Sequence, residues 1–225
     1  MIDYKLLKDK VIVSSQAMVA EPFYEEKAML AMFDSIVQGG AGGLRVAGAR
    51  DVKNAKKYGI PVIGLTKPES LPQNWKEIVY ITPTIDDINL LIDAGADIIA
   101  FDGTNRPHKD SLKAMISTIH SANKLAMADI STLEEGCLCA DLGADFISTT
   151  LCGYTKETED FDNGKPSFAL LEELVNKQNK PVILEGRIWE VEQVKKAFKL
   201  GAFSVVIGSA ITRPHLITKR FCEYN

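Results

Sequence analysis

The chain has 225 residues, 46% hydrophobic and 25% charged, which is enough to bury one large core. Its formal charge of −4 argues against nucleic acid or an anionic membrane as the main partner, because both are bound through basic patches. No stretch approaches the roughly 20 apolar residues of a membrane span, and the N-terminal segment lacks an apolar signal core, so we expect a cytoplasmic protein.

Eight short apolar runs, each introduced by one of two alternating patterns, divide the chain. Most of the runs are rich in Val and Ile, which is typical of strands buried on both faces of a parallel sheet. Five of the openers begin with Gly, at positions where a preceding helix would end. The openers of the first pattern cover residues 9–13, 59–63, 123–127 and 179–183, and those of the second cover residues 40–44, 95–99, 143–147 and 201–205.

Between most of these runs lies a stretch of helical length with apolar residues three and four positions apart. The stretches cover residues 25–38, 86–94, 110–121, 132–142, 168–178 and 191–200. Strands that alternate with such helices indicate right-handed βαβ units. Eight units in 225 residues predict an α/β fold, a (β/α)8 TIM barrel that spans residues 1–225 as a single domain.

A ninth apolar run, at residues 78–81, has neither opener. It follows a segment in which Pro68 and Pro72 disfavour a long helix. We therefore interpret residues 68–83 as an insertion in the loop after the third strand. The alternative is an open, doubly wound sheet of nine strands.

The cysteine and histidine residues lack the spacing of metal ligands. The four cysteines are expected to be free thiols in a reducing compartment. We predict a site without a metal ion.

Polar residues stand where the predicted strands end, which is where barrel enzymes carry their catalytic groups. Five of the eight ends carry ionisable side chains. Because buried charges are costly without a partner or a ligand, this pattern predicts a pocket for an anionic or sugar-like molecule. The residues at these ends are Ser14, Ser15, Gln16, Arg45, Lys67, Asp102, Asp129, Thr149, Thr150, Glu185, Gly186, Arg187, Gly208 and Ser209.

The loops after the seventh and eighth strands favour phosphate, because glycine lets the backbone N–H groups approach an anion closely. Arg213 could add a two-pronged contact. The alternative is that Gly186 and Gly208 only turn the chain. The predicted phosphate-binding residues are Gly186, Arg187, Gly208, Ser209 and Arg213.

Lys67 and Glu185 are the catalytic candidates, because proton removal next to a carbonyl needs a base and a donor near the developing oxyanion. A lysine base needs a pKa below its ordinary value of ~10.4. A nearby Arg45 would lower the pKa of Lys67 and a nearby Glu185 would raise it, and the sequence leaves the outcome open. The alternatives are a solvated loop lysine, and a glutamate that pairs with Arg187 or Arg213.

Asp129 is expected to be free to face the pocket, because Ser131 and Glu134 supply a capping box for the helix that follows it. It would accept hydrogen bonds from substrate hydroxyls or orient Lys67. Asp102 either faces the pocket or shapes its own turn.

Three further side chains are candidates for substrate binding. Gln16 and Arg45 could bind substrate oxygens, the alternatives being ordinary packing or ion pairing. Tyr154 could close over the pocket or lie exposed in its loop.

Taken together, the motifs resemble those of the bacterial N-acetylmannosamine-6-phosphate 2-epimerases. The resemblance runs from about Lys10 to Phe221. The motifs that carry it are SSQA at 14–17, EP at 21–22, GLRV at 43–46, PVIGLTK at 61–67, ITPT at 81–84, MADIST at 127–132, TTLCGYT at 149–155, ILEGR at 183–187 and VIGSAITRP at 206–214.

The resemblance implies a homodimeric (β/α)8 barrel without a cofactor, acting on a sugar phosphate in amino-sugar and sialic acid breakdown. It places the catalytic lysine at Lys67 and its acidic partner at Glu185, with substrate contacts at Gln16, Arg45, Asp129 and Arg213. The sequence departs from the family at Ser15, usually Cys, at Pro68, often basic, and in the loop 102–107.

Epimerisation at carbon-2 is thus the predicted reaction, with Lys67 as the base and with Lys67 or Glu185 returning the proton. A Schiff-base aldolase that uses Lys67 is one alternative. A sugar-phosphate sensor without catalysis is the other.

Overall fold

The computed structural model describes residues 3–161 and 164–223. Eight parallel strands close into a barrel in the order in which they occur along the chain, so each strand pairs with its sequence neighbours and β1 pairs with β8. The strands are β1 (Val11–Ser15), β2 (Gly43–Ala47), β3 (Val62–Leu65), β4 (Ile98–Asp102), β5 (Leu125–Asp129), β6 (Phe146–Ser148), β7 (Val182–Glu185) and β8 (Ser204–Ile207). The predicted (β/α)8 barrel is confirmed, and the open sheet of nine strands is wrong.

Helices follow the strands around the outside of the barrel. They are α1 (Glu26–Gln38), α2 (Ala49–Ala55), α3 (Ile85–Asp93), α4 (Leu112–Ser121), α5 (Leu133–Asp141), α6 (Phe168–Lys177), α7 (Val191–Lys199), α8 (Ser209–Thr212) and α9 (Pro214–Cys222). The six predicted helices are confirmed, with ends within two residues of those expected. Among the described residues, no helix is both long and apolar enough to cross a membrane.

The aspartates of the Gly-Ala-Asp openers fix the lower ends of two strand pairs. Asp97 accepts a hydrogen bond from the backbone N–H of Val62 at 2.9 Å while its own N–H donates to the Val62 carbonyl. Asp145 makes the same pair of bonds with Ala126, the side-chain bond being 2.7 Å long. These side chains extend the β3–β4 and β5–β6 ladders by one residue and so help to set the strand register.

Apolar side chains fill the barrel below the site. Ile12, Ile63, Ile98, Met127 and Phe146 are all fully buried and belong to one cluster inside the strands. A second and larger cluster lies between the strands and the helices. The polar residues at the strand ends therefore stand on a packed apolar floor, at the carboxyl end of the barrel.

Residues 66–84, between β3 and α3, form no strand. The predicted insertion at 68–83 is confirmed. Tyr80 and Ile81 are buried, and the Ile81 carbonyl accepts a hydrogen bond from the N–H of Asp102 at 3.1 Å. The apolar run at 78–81 thus lies along the upper end of β4 and covers the barrel mouth from one side.

Candidate active site

A cavity of about 480 Å³ opens at the carboxyl ends of the strands. Lys67, two residues beyond β3, and Glu185, the last residue of β7, both line it. The remaining predicted residues that line the same cavity are Ser14, Gln16, Thr150, Tyr154, Gly186, Arg187, Gly208, Ser209 and Arg213. A second cavity of about 410 Å³ adjoins the first and shares Lys67, Gln16 and Arg213 with it.

Arg45 and Asp129 lie beneath the cavity rather than in its wall. Their side chains are 1% and 0% exposed, and Arg45 Nη1 and Nη2 donate to Asp129 Oδ1 and Oδ2 at 3.1 and 2.5 Å. The expectation that the Asp129 carboxylate is free to face the pocket is therefore wrong. The expected capping box is also one residue out of place, because Thr132 and Glu135 form it.

Glu185 points toward this buried ion pair. Its Oε2 lies 3.3 Å from Arg45 Nε and 3.1 Å from the Thr150 hydroxyl. The neighbouring Thr149 holds its backbone, because the Thr149 hydroxyl accepts from the Glu185 N–H and donates to the Glu185 carbonyl, both at 3.1 Å. Burial raises the pKa of Glu185 above its usual range, and Arg45 opposes that rise. The carboxyl group is thus suited to hold a proton.

The backbone on which Lys67 stands is fixed by a threonine of the insertion. The N–H of Thr66 donates to Thr82 Oγ1 at 3.0 Å, and the N–H of Thr82 donates to the Thr66 carbonyl at 3.1 Å. Thr82 is fully buried at a φ of 44°, a region that β-branched residues rarely adopt. The strained residue places Lys67 at the strand end.

Lys67 is an exposed residue on the open side of the cavity, and its amine has a pKa lowered to about 8, first because protein atoms around the amine disfavour the charged form and next because Arg45 is nearby. Glu185 and Asp129 act in the opposite direction and do not outweigh these effects. The sequence left open whether Arg45 or Glu185 has the larger effect on the pKa of Lys67, and the structure decides in favour of a lowered pKa. A lysine with such a value is partly neutral at neutral pH and can act as a base.

The predicted phosphate-binding residues form one side of the cavity. Gly186 has a φ of 110° and Arg187 a φ of 56°, so the chain turns sharply after β7. The Arg187 guanidinium lies 4.2 Å from the Tyr154 ring centroid and donates to the Cys152 carbonyl at 2.9 Å. Arg213 pairs with Glu21 at 2.8 Å and is 30% exposed. Two guanidinium groups thus stand beside the glycine loops.

Aromatic residues of the insertion form the facing wall, which sequence reasoning missed. Trp75 and Tyr80 line the cavity, with ring centroids 6.2 Å apart, and Trp75 lies 6.3 Å from Tyr154. Arg106 holds this wall, because its guanidinium stands over the Tyr80 ring at 5.6 Å and donates to the Trp75 carbonyl at 3.1 Å. The sequence signal that could have revealed this wall is the presence of aromatic residues in an insertion at the end of a strand.

Asp102 shapes its own turn, the second of its two predicted possibilities. Its Oδ1 accepts hydrogen bonds from the N–H and the hydroxyl of Thr104 at 3.0 and 2.6 Å. Its Oδ2 pairs with Arg106. Asp102 is fully buried and does not line either cavity described above. The loop at 102–107 therefore acts on the cavity only through Arg106 and the aromatic wall.

All four cysteines are free. In residues 3–161 and 164–223, no group of three or more His, Cys, Asp and Glu side chains is arranged to hold a metal ion.

The family model described as "Putative N-acetylmannosamine-6-phosphate epimerase" matches residues 29–224. Proteins named "Putative N-acetylmannosamine-6-phosphate 2-epimerase" are similar over nearly their whole length. That of Clostridium perfringens strain 13 is 42% identical over 222 residues, 97% of each chain. That of Clostridioides difficile strain 630 is 41% identical over 221 residues, 96% of each chain.

Solved structures agree with the sequence matches. The structure titled as the N-acetylmannosamine-6-phosphate 2-epimerase from Clostridium perfringens superimposes with a TM-score of 0.92 at 40% identity, covering 100% of this chain and 98% of that one. A thiamine phosphate pyrophosphorylase from Pyrococcus furiosus, at 14% identity and a TM-score of 0.61 over 92% of this chain and 89% of that one, shares the fold alone. The chain belongs to the N-acetylmannosamine-6-phosphate epimerase family.

Proposed function

We propose that this protein is an isomerase that interconverts N-acetylmannosamine 6-phosphate and N-acetylglucosamine 6-phosphate by removing and returning the proton on carbon-2. The relatives that carry this name support the reaction and the substrate. The observation that carries the mechanism is that Lys67, with a pKa lowered to about 8, and Glu185, with a raised pKa, line one cavity. A base and an acid are thus available on one substrate.

The first chemical step is proton removal. The sugar ring opens to expose an aldehyde at carbon-1, which makes the carbon-2 proton acidic. The neutral amine of Lys67 takes that proton and becomes an ammonium, and the electron pair of the C–H bond moves toward the carbonyl oxygen to give an enolate. The positive charge of Arg45, beneath the cavity, offsets the negative charge that develops.

The second step is proton return on the opposite face. Glu185 gives its proton to carbon-2, the carbonyl reforms, and the ring can close on the inverted centre. Lys67 then carries one proton more and Glu185 one fewer, so the reverse reaction starts from that state. The cycle consumes no oxidant, reductant or cofactor.

The substrate is held by its phosphate on one side of the reacting carbon and by its hydroxyl or amide groups on the other. We assign the phosphate to Gly186, Arg187, Gly208, Ser209 and Arg213, whose side of the cavity offers two guanidinium groups and glycine backbone. Gln16 has a buried Oε1 without a hydrogen-bond partner in the described structure, which suits it to accept from a substrate hydroxyl or amide. Tyr154 covers the cavity beside Arg187. The charges of Arg45 and Asp129 act on the sugar from beneath the cavity.

Solvent exchange tests the proposal. In deuterated water the protein should place deuterium at carbon-2 of both sugars, and Lys67→Ala should abolish that exchange. Lys76→Ala is the matched control, because Lys76 belongs to the insertion and lines neither cavity described above. Exchange that survives in Lys67→Ala would remove Lys67 from the mechanism. A stable adduct after borohydride treatment with substrate would favour the aldolase, and binding without turnover would favour the sensor.

The resemblance supports further proposals about the setting. We propose that the protein acts in the cytoplasm as a homodimer, in amino-sugar and sialic acid breakdown, without nucleic acid or membrane partners. The net charge of −4 supports the absence of polyanionic partners. Light scattering on the purified protein tests the dimer, since a mass near the chain's 24.7 kDa would contradict it.

A further inference from the structure

Thr150 lines the cavity and is half-buried, and its hydroxyl has three oxygen neighbours in the cavity floor. Its Oγ1 lies 2.8 Å from Asp129 Oδ1, 2.8 Å from Ser148 Oγ and 3.1 Å from Glu185 Oε2. Ser148 and Asp129 are fully buried, and Glu185 is 13% exposed. These contacts therefore have to be satisfied largely within the protein.

A hydroxyl can donate one hydrogen bond and accept two. Asp129 receives both Nη groups of Arg45, so it is the ionised carboxylate and can only accept. The single proton of Thr150 therefore points to Asp129, and the Ser148 hydroxyl donates to Thr150. One lone pair of Thr150 remains, and it faces Glu185.

Two acceptors facing each other at 3.1 Å would repel, whereas a protonated Glu185 donates to that lone pair and completes the set. We propose that Thr150 is a positioning residue that holds Glu185 in its protonated form by accepting a hydrogen bond from it. The inference rests on the proposed function, in which Glu185 gives a proton to carbon-2.

The other charged groups around Glu185 fit this assignment. Arg45 on β2 faces Glu185 with Nε at 3.3 Å and favours its ionised form, although this Nε makes no hydrogen bond to any described residue. Asp129 on β5 is negative and disfavours a second negative charge, whereas Lys67 beyond β3 favours one. Burial is the largest effect and raises the pKa of Glu185, and Asp129 adds to it. A hydrogen bond donated by Thr150 to ionised Glu185 would instead lower that pKa, and this is the alternative that the titration below decides.

The arrangement also explains why Glu185 would recover its proton after each turnover. Once Glu185 is ionised, two carboxylates compete for the one proton of Thr150, and one contact is left without a donor. Protonation of Glu185 removes this conflict without moving a side chain. Thr150 therefore favours the state from which Glu185 acts as an acid.

An infrared titration of the protein without substrate tests the proposal. The C=O stretch of neutral Glu185 is identified by its absence in Glu185→Gln, and its midpoint is followed with pH. Thr150→Val should lower the midpoint by about one pH unit, because the neutral form loses an acceptor. Thr150→Ser, which keeps the hydroxyl, should titrate like the wild type.

Thr149→Val is the matched control, because this neighbouring hydroxyl contacts only the backbone of Glu185 among its described hydrogen bonds. Its midpoint should stay that of the wild type. A midpoint that is unchanged or raised in Thr150→Val would overturn the proposal, a raised one meaning that the hydroxyl donates to ionised Glu185. If Thr150→Val does not fold, Thr150→Ala removes the same hydroxyl. The infrared titration needs no turnover. If the wild-type protein did not exchange the carbon-2 proton while the midpoints shifted as expected, that result would count against the proposed function and not against the role of Thr150.

Discussion

The pH dependence of kcat/KM above neutrality should distinguish a two-residue proton transfer from one by Lys67 alone. In the proposed cycle one direction starts from neutral Lys67 with protonated Glu185, and the other from the ammonium form of Lys67 with ionised Glu185. These two states hold the same number of protons, so kcat/KM depends on pH in the same way in both directions. Both states disappear when the pair loses its last proton.

The structure supplies the position of that loss, because the pKa of Lys67 is lowered to about 8. Above this pH, kcat/KM should fall about tenfold per pH unit, to about a tenth of its plateau at about pH 9 and about a hundredth at about pH 10. If Lys67 both removes and returns the proton, only the neutral amine is needed. In that case kcat/KM would rise to about pH 8 and then stay level.

The assay follows both sugars separately under initial-rate conditions from about pH 7 to about pH 10, a window that excludes the second ionisation of the phosphate near pH ~6. Circular dichroism at each pH is the control for unfolding. A fall above about pH 8 in both directions supports Glu185 as the acid. A level profile would refute the role of Glu185 while leaving Lys67 as the base.

Other predictions concern the ion pair and the phosphate loops. Asp129→Ala should leave Glu185, at 3.3 Å, as the remaining described carboxylate beside the buried Arg45 charge, and should destabilise the protein by at most about 3–5 kcal/mol, a fall of at most about 6–20 °C in Tm by calorimetry. Arg213→Ala should lower kcat/KM about 10–100-fold for the phosphorylated sugar and leave activity on an unphosphorylated sugar unchanged in steady-state assays. Gly186→Ala should lose about 1–3 kcal/mol in urea unfolding because its φ is 110°.

The barrel could be predicted because every strand and most helices carry their own local signal. The insertion was recognised by the same logic, since its apolar run lacks an opener. Helix α2, Ala49–Ala55, was not predicted, because its short sequence has no apolar stripe and it buries the polar Asp51 and Asn54. Its formation depends on packing against β2 and β3, which local patterns do not encode.

The capping box shows how tertiary contacts choose between equivalent local motifs. Ser131 with Glu134 and Thr132 with Glu135 both fit the pattern. Glu135 forms the box because its carboxylate also accepts from the N–H of Asn105 at 2.7 Å and from the Ser131 hydroxyl at 2.8 Å. Asn105 comes from a different loop, so its contact with Glu135 could not be read from the helix itself.

Arg45 and Asp129 show the same limit at the site. Strand-end positions predicted that both side chains lie near the pocket, but not that they neutralise each other beneath it. Their pairing joins β2 to β5 across the barrel interior, so it depends on the closed geometry. The aromatic wall was missed because Trp75 and Tyr80 lie in a loop whose position depends on contacts with Arg106. Arg106 is held in turn by its ion pair with Asp102.

The net charge of the site stays constant during the proposed reaction, because Lys67 gains a proton as Glu185 loses one and the Arg45–Asp129 pair adds no net charge. With neutral Lys67 and protonated Glu185, the four groups sum to zero. After the proton has passed from the substrate to Lys67 and from Glu185 to the substrate, two positive and two negative charges again sum to zero. The buried floor formed by Arg45 and Asp129 stabilises a change of net charge poorly, whereas it tolerates a proton transfer that leaves the net charge above it unchanged. The buried ion pair is therefore needed as a fixed, neutral background against which Lys67 and Glu185 can exchange roles.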